Sequence, residues 1–315
     1  MMVDSQVTVI LRTKDRPGFL RRALADVNAQ SYPDAHVIVV NDGGSRASVE
    51  TVVAESALAA RCVVLDTTSP GGRCAAANLG VRTATSPYVV LHDDDDLWHS
   101  DFLATTVSWL DANPNAAGVA TATEIHYEEW ASDGWSTVER VRFWPEMRRI
   151  SLGEMVEINR IVPISFLYRR AVHDDVGWYD ESLDTVEDWD LYLRILPGHT
   201  IGFLPEQPLA YWMQRPNVRG ADGNSMFELT QELARDDAIV RDRALASWIA
   251  RNGAGLPLAM AAMERRLIRR IDEMDAATRG IMDELRRQIT AHHPVWSRVR
   301  RGVNRFRSNR SVKGE

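Results

Sequence analysis

The chain has 315 residues, 45% of them hydrophobic and 26% charged, which excludes disordered and fibrous classes and allows one large globular domain or two smaller ones. Its only cysteines, Cys62 and Cys74, have no CxxC spacing, which argues against a zinc or disulfide framework and for a reducing compartment. The net charge of −7 is uneven: seven cations against Glu315 alone make residues 291–315 +6 and leave −13 on the rest, unlike the broad basic face of a nucleic-acid enzyme.

Residues 1–6 carry no basic or long apolar leader, and no apolar stretch reaches the roughly 20 residues of a membrane span, so a cytoplasmic protein is expected. Residues 7–12 form a near-continuous apolar run, a first strand. Pro17 opens a helix with Phe19, Leu20, Ala23, Leu24 and Val27 at helical spacing. Strands follow at 37–40, 62–65 and 88–91, with a helix at 75–84. This alternation predicts an α/β fold, a mainly parallel sheet flanked by helices, with ligands beyond the carboxyl ends of the strands. A helix is expected at 102–110, strands at 118–127, 138–143 and 165–169, and a helix at 189–196. Runs 200–204 and 208–213 read as edge strands because Pro205 and Pro208 interrupt them. From 227 to 250 and from 256 to 292 the chain turns helical. The second stretch carries Met263, Leu267, Ile271, Met274, Ile281, Leu285 and Ile289 in a seam that packs on the body or pairs with a second copy as a homodimer.

The strand at 88–91 leads through His92 into Asp93-Asp94-Asp95-Asp96. Clustered carboxylates at a strand's carboxyl end suit Mg²⁺ or Mn²⁺, which keep ligand positions for substrate phosphate, although an acidic cap of the next helix has the same look. His92 reads as a satisfied strand-end histidine and Asp96 as a helix cap. Asp42 ends the second strand, where an acidic residue can hold a nucleoside, or where Asn41-Asp42-Gly43-Gly44 is simply a turn. Gly71-Gly72-Arg73, leading into a helix with Asn78 and Gly80, suits phosphate but is no Walker loop. Glu187-Asp188-Trp189-Asp190 opens a helix. Crowded carboxylates there raise one another's pKa, as a general base for a hydroxyl requires, or they cap the helix. The polar segment 214–225 reads as a lid with Arg215 or Arg219 over a diphosphate. Trp130, Trp135, Trp144, Trp178 and Trp212 are core residues or sugar platforms.

Five segments in order resemble family 2 glycosyltransferases: residues 8–17, the Val39-Val40-Asn41-Asp42-Gly43-Gly44-Ser45 segment, Ala76-Ala77-Asn78-Leu79-Gly80, residues 91–98, and residues 176–180 with 187–194. The resemblance covers roughly residues 7–215. It implies a GT-A fold, Rossmann-like, over residues 1–225. The nucleotide-binding half would be about 1–105 and the acceptor half about 106–225, followed by a helical extension at 226–292 and a basic tail at 293–315. It also implies a nucleotide-diphospho-sugar donor of UDP, GDP or dTDP type, Mg²⁺ or Mn²⁺, and inversion at the anomeric carbon. Carried over, Asp42 contacts the nucleoside, with Thr13, Asp15 and Arg16 beside the base. Asp93 and Asp95 are the metal pair, Asp95 the direct ligand and Asp93 toward the ribose or the ion, and Asp94 is a third donor contact. Asp188 is the base, with Glu187 and Asp190 as runners-up. Ala77 replaces the family's arginine, so phosphate contact shifts to Arg73, beside Asn78. The family's late histidine has no match after Tyr211-Trp212, where Gln214 and Arg215 stand instead.

The activity expected is transfer of a sugar to a hydroxyl of a glycan or lipid-linked acceptor, in cell-surface polysaccharide synthesis. A sugar-phosphate nucleotidyltransferase would show a glycine-rich loop after the first strand, which residues 12–18 lack. A noncatalytic glycan-binding relative would not need Asp93, Asp95 and Asp188 together. Apolar residues alternate with arginines in 291–315, which suits peripheral contact with an anionic leaflet; a solubilising tail has the same composition.

Overall fold

In the computed structural model the described residues are 5–68, 71–132 and 134–292, so the expected basic tail at 293–315 lies outside them. β1 (Val7–Thr13) is buried at all seven positions, as a strand covered on both faces must be. Then come α1 (Pro17–Asn28), β2 (Ala35–Asn41), α2 (Arg46–Glu55), β3 (Cys62–Asp66), α3 (Arg73–Thr83) and β4 (Tyr88–Asp93). Pro17 sits in the first turn of α1, where no backbone N–H is needed, and the five apolar residues expected on one face are the five that are buried. β1 pairs in parallel with β2 and β4, and β2 with β3. The register sets Arg12 opposite Asp93 and Thr13 opposite Asn41, so the ends of β1, β2 and β4 share one edge.

The remaining elements are β5 (Leu97–Trp98), α4 (Phe102–Ala112), β6 (Ala116–Thr121), β7 (Thr123–Ala131), β8 (Gly134–Phe143), α5 (Leu152–Glu157), β9 (Phe166–Arg169), α6 (Val172–Val176), α7 (Glu187–Ile195), β10 (Thr200–Leu204), β11 (Ala210–Gln214), α8 (Ser225–Glu228), α9 (Thr230–Asn252) and α10 (Gly255–His292). The main sheet has seven strands in the order β10-β6-β9-β4-β1-β2-β3, and only β9 runs antiparallel to its neighbours.

Two expectations are corrected. The single strand expected at 118–127 is two. β6, buried throughout and made of small residues, belongs to the main sheet; beyond Ala122 the chain enters a second sheet of four strands, β5-β11-β7-β8. β10 is an edge strand as expected, but β11 lies between β5 and β7. Pro208 precedes the hydrogen-bonded span and removes no ladder bond.

The body also runs past residue 225, to Arg241. Asp236 on α9 accepts hydrogen bonds from the Asp184 and Thr185 backbone N–H groups, both at 2.8 Å, and Val240 joins the core. The second unit holds α10, whose seam residues Met263, Leu267, Ile271, Met274, Ile281, Leu285 and Ile289 are exposed. No helix of the described residues is long and apolar enough to cross a membrane.

Gly80 illustrates how closely α3 lies on the sheet, because a Cβ there would overlap Ile10 Cγ2 of β1. Alanine favours a helix interior by about 1 kcal/mol over glycine, but overpacking a core costs about 1–3 kcal/mol. Gly80→Ala is therefore expected to lower the denaturant midpoint with an unchanged m-value; an unchanged or higher midpoint would disprove the tight contact.

Candidate active site

A buried cation organises the edge formed by β1, β2 and β4. Arg12 is 6% exposed, and its guanidinium forks onto Asp93, Nε to Oδ1 at 2.8 Å and Nη2 to Oδ2 at 3.0 Å. Its Nη1 donates to Glu187 Oε1 at 3.0 Å and to the Arg73 carbonyl at 3.2 Å. Burial alone would raise the Asp93 carboxyl, but Arg12, with Arg73 and Arg16, holds it below the usual range. Both Asp93 oxygens, expected to face the metal or the ribose, are engaged by arginine. Sequence reasoning passed over Arg12, although a lone charge inside a buried apolar strand signals a partner elsewhere.

The other three aspartates have different surroundings. Asp94 is fully buried. Its carboxylate, expected to contact the donor, takes Thr13 Oγ1 at 2.7 Å, Arg16 Nε at 3.2 Å and Arg16 Nη2. Burial pushes its carboxyl up to about 7 against the pull of Arg16, with Asp95 adding to the rise. Asp96 accepts the Met213 N–H at 2.9 Å and so ties β11 to the acid cluster instead of capping α4; burial, then Asp95 and Asp93, raise its pKa.

Asp95 Oδ2 takes Arg16 Nη1 at 3.3 Å, Asn224 Nδ2 at 3.2 Å and Arg215 Nη2. Arg215, expected on an open lid, is instead fully buried. It also pairs with Glu128 at 2.9 Å and lies 4.5 Å over the Phe19 ring, contacts distant in sequence that local polarity does not reveal. Glu128 is held in turn by Arg22.

Among the described residues no three His, Cys, Asp or Glu side chains gather to hold a metal. Asp95 Oδ1 has no hydrogen-bond partner among them. The donor set therefore fits Mg²⁺ or Mn²⁺ held by one Asp95 oxygen and completed by water and phosphate, as these hard cations accept, and does not fit an all-protein cage.

The second acidic station opens α7. Asp188, 8% exposed, accepts from Asn159 Nδ2 at 2.8 Å. Burial, then the neighbouring Glu187 charge, push its carboxyl up to about 7, against the Asn159 and Trp189 hydrogen bonds and the Arg12 charge. Glu187 is engaged by Arg12, and Asp190 pairs with Arg194 at 2.7 Å one turn on. Asp188 alone of the three has no cationic side chain bonded to it.

Other expected residues divide. Asp42 Oδ1 accepts from the Gly72 N–H at 2.7 Å and from Thr67 Oγ1 at 3.0 Å, which brings the amino end of α3 to the end of β2, beside Arg73. Asp15 is exposed and its Oδ1 takes the Ser45 N–H at 2.8 Å. Asn78, expected near the phosphate, is buried, and its amide clasps the Tyr179 backbone at 2.9 Å in both directions and Glu181 at 2.7 Å. His92 is fully buried, with Nδ1 2.7 Å from the Asp93 carbonyl oxygen. The non-glycine residues with positive φ among those described are Asp15 (51°), Trp144 (47°) and Val186 (53°). For tryptophan and a β-branched valine this is strain of the sort that collects at functional sites, and Val186 directly precedes the Glu187-Asp188 pair.

Comparison with known proteins bears on the family and the fold. The family described as glycosyl transferase family 2 matches residues 8–177. The chain is 25% identical over 211 residues to the uncharacterized glycosyltransferase YwdF of Bacillus subtilis, covering 65% of this chain and 74% of that protein. It is 24% identical over 220 residues to a poly-beta-1,6-N-acetyl-D-glucosamine synthase of Staphylococcus aureus, of which it spans only 51%, against 68% of its own length. Among solved structures, the mannosyltransferase PcManGT from Pyrobaculum calidifontis, in complex with GDP-Man and Mn²⁺, superposes with a TM-score of 0.52 at 19% identity, over 83% of this chain and 81% of that one. S. aureus TarS 1-349 in complex with UDP-GlcNAc gives 0.51 at 16%, over 80% and 75%. These likenesses establish the GT-A fold, and with more than half of the chain matched by the family, the protein belongs to the family 2 glycosyltransferases.

Proposed function

We propose that this glycosyltransferase takes a nucleotide-diphospho-sugar of UDP, GDP or dTDP type and transfers its sugar, with inversion, to a hydroxyl of a glycan or lipid-linked acceptor. The observation that carries the reading is the pairing of two unlike acidic stations across Arg12: a cation-compensated cluster at the end of β4, and Asp188, buried and raised, at the start of α7. A bound Mg²⁺ or Mn²⁺ at Asp95 would offset the charge that grows on the leaving diphosphate. Arg73 and the uncapped amino end of α3 supply further positive potential for phosphate, and Asp42 lies beside them for the nucleoside. Asp188 takes the proton of the acceptor hydroxyl as that oxygen attacks the anomeric carbon, and one base opposite the leaving group suffices for a single displacement.

The setting in cell-surface polysaccharide synthesis rests on the name of the synthase relative. The donor class and the use of Mn²⁺ draw support from the ligands named with the two solved neighbours. A thermal-shift screen of UDP, GDP and dTDP with and without Mn²⁺ tests the reading. One nucleotide should stabilise the protein by about 2–3 kcal/mol at a hundredfold excess over Kd, and more with Mn²⁺ than without. No stabilisation by any of them would refute it. The anomeric configuration of the first-formed product, read by NMR, tests inversion, and retention would exclude a single displacement.

A further inference from the structure

Gln214 ends β11 at 2% exposure, and neither Nε2 nor Oε1 of its amide has a hydrogen-bond partner among the described residues. A buried amide left unsatisfied in both halves is costly, and such a group calls for a partner that completes it.

Its face of the second sheet follows from register. β11 runs parallel to β7 with Tyr211 opposite Glu124, Met213 opposite His126 and Gln214 opposite Tyr127. Side chains alternate along strands, so Tyr211, Met213 and Arg215 share one face with His126 and Glu128, as the Tyr211–His126 stack at 4.7 Å and the Arg215–Glu128 pair at 2.9 Å require. Gln214 lies on the opposite face with Trp212. From Trp212 the contacts lead to Phe143 at 5.5 Å, to Trp144 at 6.0 Å and to the Arg160 guanidinium 4.6 Å over Trp144. Asn159, next in sequence to Arg160, donates to Asp188 at 2.8 Å.

Trp144 Nε1 and Arg160 Nε are likewise buried without partners. With the Gln214 amide they make four of the six such atoms among the described residues, all along this path. At the other end, Met213 bonds Asp96 through its N–H at 2.9 Å and is joined to Asp95 through Asn224. Gln214 thus follows the residue bonded to the acid cluster, on the face of the sheet whose ring contacts lead toward Asn159 and the base, and the transferred sugar must lie between those two stations if the donor reading above holds.

We propose that the Gln214 amide reads the hydroxyls of the transferred sugar, its N–H groups donating and its carbonyl accepting. Sugar hydroxyls both donate and accept, so this ligand class satisfies both halves of the amide at once. The inference rests on the donor reading, and the test separates the two. Titration calorimetry with Mn²⁺ compares each nucleotide diphosphate with its sugar-bearing form, across UDP-, GDP- and dTDP-sugars, on the wild type, Gln214→Leu and Gln214→Met.

Both variants are expected to lose about 10- to 100-fold in affinity for the sugar nucleotide the wild type prefers, while affinity for the bare diphosphate stays unchanged. Gln214→Leu should also melt no lower than the wild type, because the orphaned amide is gone. If Leu fails to fold, the longer, unbranched Met gives the same comparison. Retained sugar-nucleotide affinity, or equal loss for the diphosphate and its sugar form, would overturn the assignment of Gln214. A wild type that binds no sugar nucleotide would overturn the donor reading and the assignment with it.

Discussion

Asp188→Asn is expected to lower kcat by about 10²- to 10⁴-fold, the span associated with removing a general base, while nucleotide-diphosphate affinity stays at the wild-type level. Asn keeps the volume of the side chain and an oxygen for the Asn159 amide, so the loss is chemical and not one of packing. The pH dependence follows from the same burial. As the proposed base Asp188 acts only as carboxylate, and burial reinforced by Glu187 pushes its carboxyl up to about 7, so wild-type kcat/KM should fall tenfold per unit below that pH and level off above it. Stability has the opposite sign. A free aspartate titrates near 4 and Asp188 well above, so the native state binds more protons than the unfolded state between these values, and this residue costs the fold more as pH rises through about 7. Asp188→Asn should therefore raise Tm at pH 8 and leave it little changed at pH 4. Turnover retained in Asp188→Asn would contradict the role of base, and then Glu187 and Asp190, both tied to arginines, would have to be reconsidered.

Much of this was legible in the chain because it leaves local marks. The apolar runs of β1, β2 and β4 are what strands buried on both faces require, and their turns end in Asp42 and Asp93 at the edge where ligands bind. The division of labour among the aspartates was not legible, since it depends on which arginines reach them. Arg16 and Arg215 come from a loop before α1 and a segment after β11, and nothing within a few residues of either shows that they converge on Asp95. Asn78 stands in a recognisable motif, yet its partners Tyr179 and Glu181 lie a hundred residues away, and its clasp on them shows only in the fold. The split between β6 and β7 is likewise tertiary: the apolar pattern runs on through Ala122, while the hydrogen bonds pass to another sheet. Gln214 could be seen as a departure from the family pattern, but its lack of a partner needed the surrounding packing.

Arg12 carries the second large effect. Arg12→Met leaves the carboxylates of Asp93 and Glu187 buried without their counter-charge, and breaking a buried pair on one side costs about 3–5 kcal/mol, enough to unfold much of a marginal protein. Arg12→Lys is the informative variant. It keeps the charge, but a single ammonium cannot reproduce the two-pronged grip on Asp93 together with the contact to Glu187, so a smaller drop in denaturant midpoint is expected. Destabilisation alone would be true of many core residues. What distinguishes Arg12 is that its charge draws the Asp188 pKa down while Glu187 drives it up, so loosening Arg12 from Glu187 strengthens the rise. The acidic limb of kcat/KM in Arg12→Lys should accordingly move to higher pH than in the wild type, with activity recovered at alkaline pH. An unmoved limb together with a wild-type midpoint would show that the link between the two acidic stations is dispensable, and the base would then owe its pKa to burial and Glu187 alone.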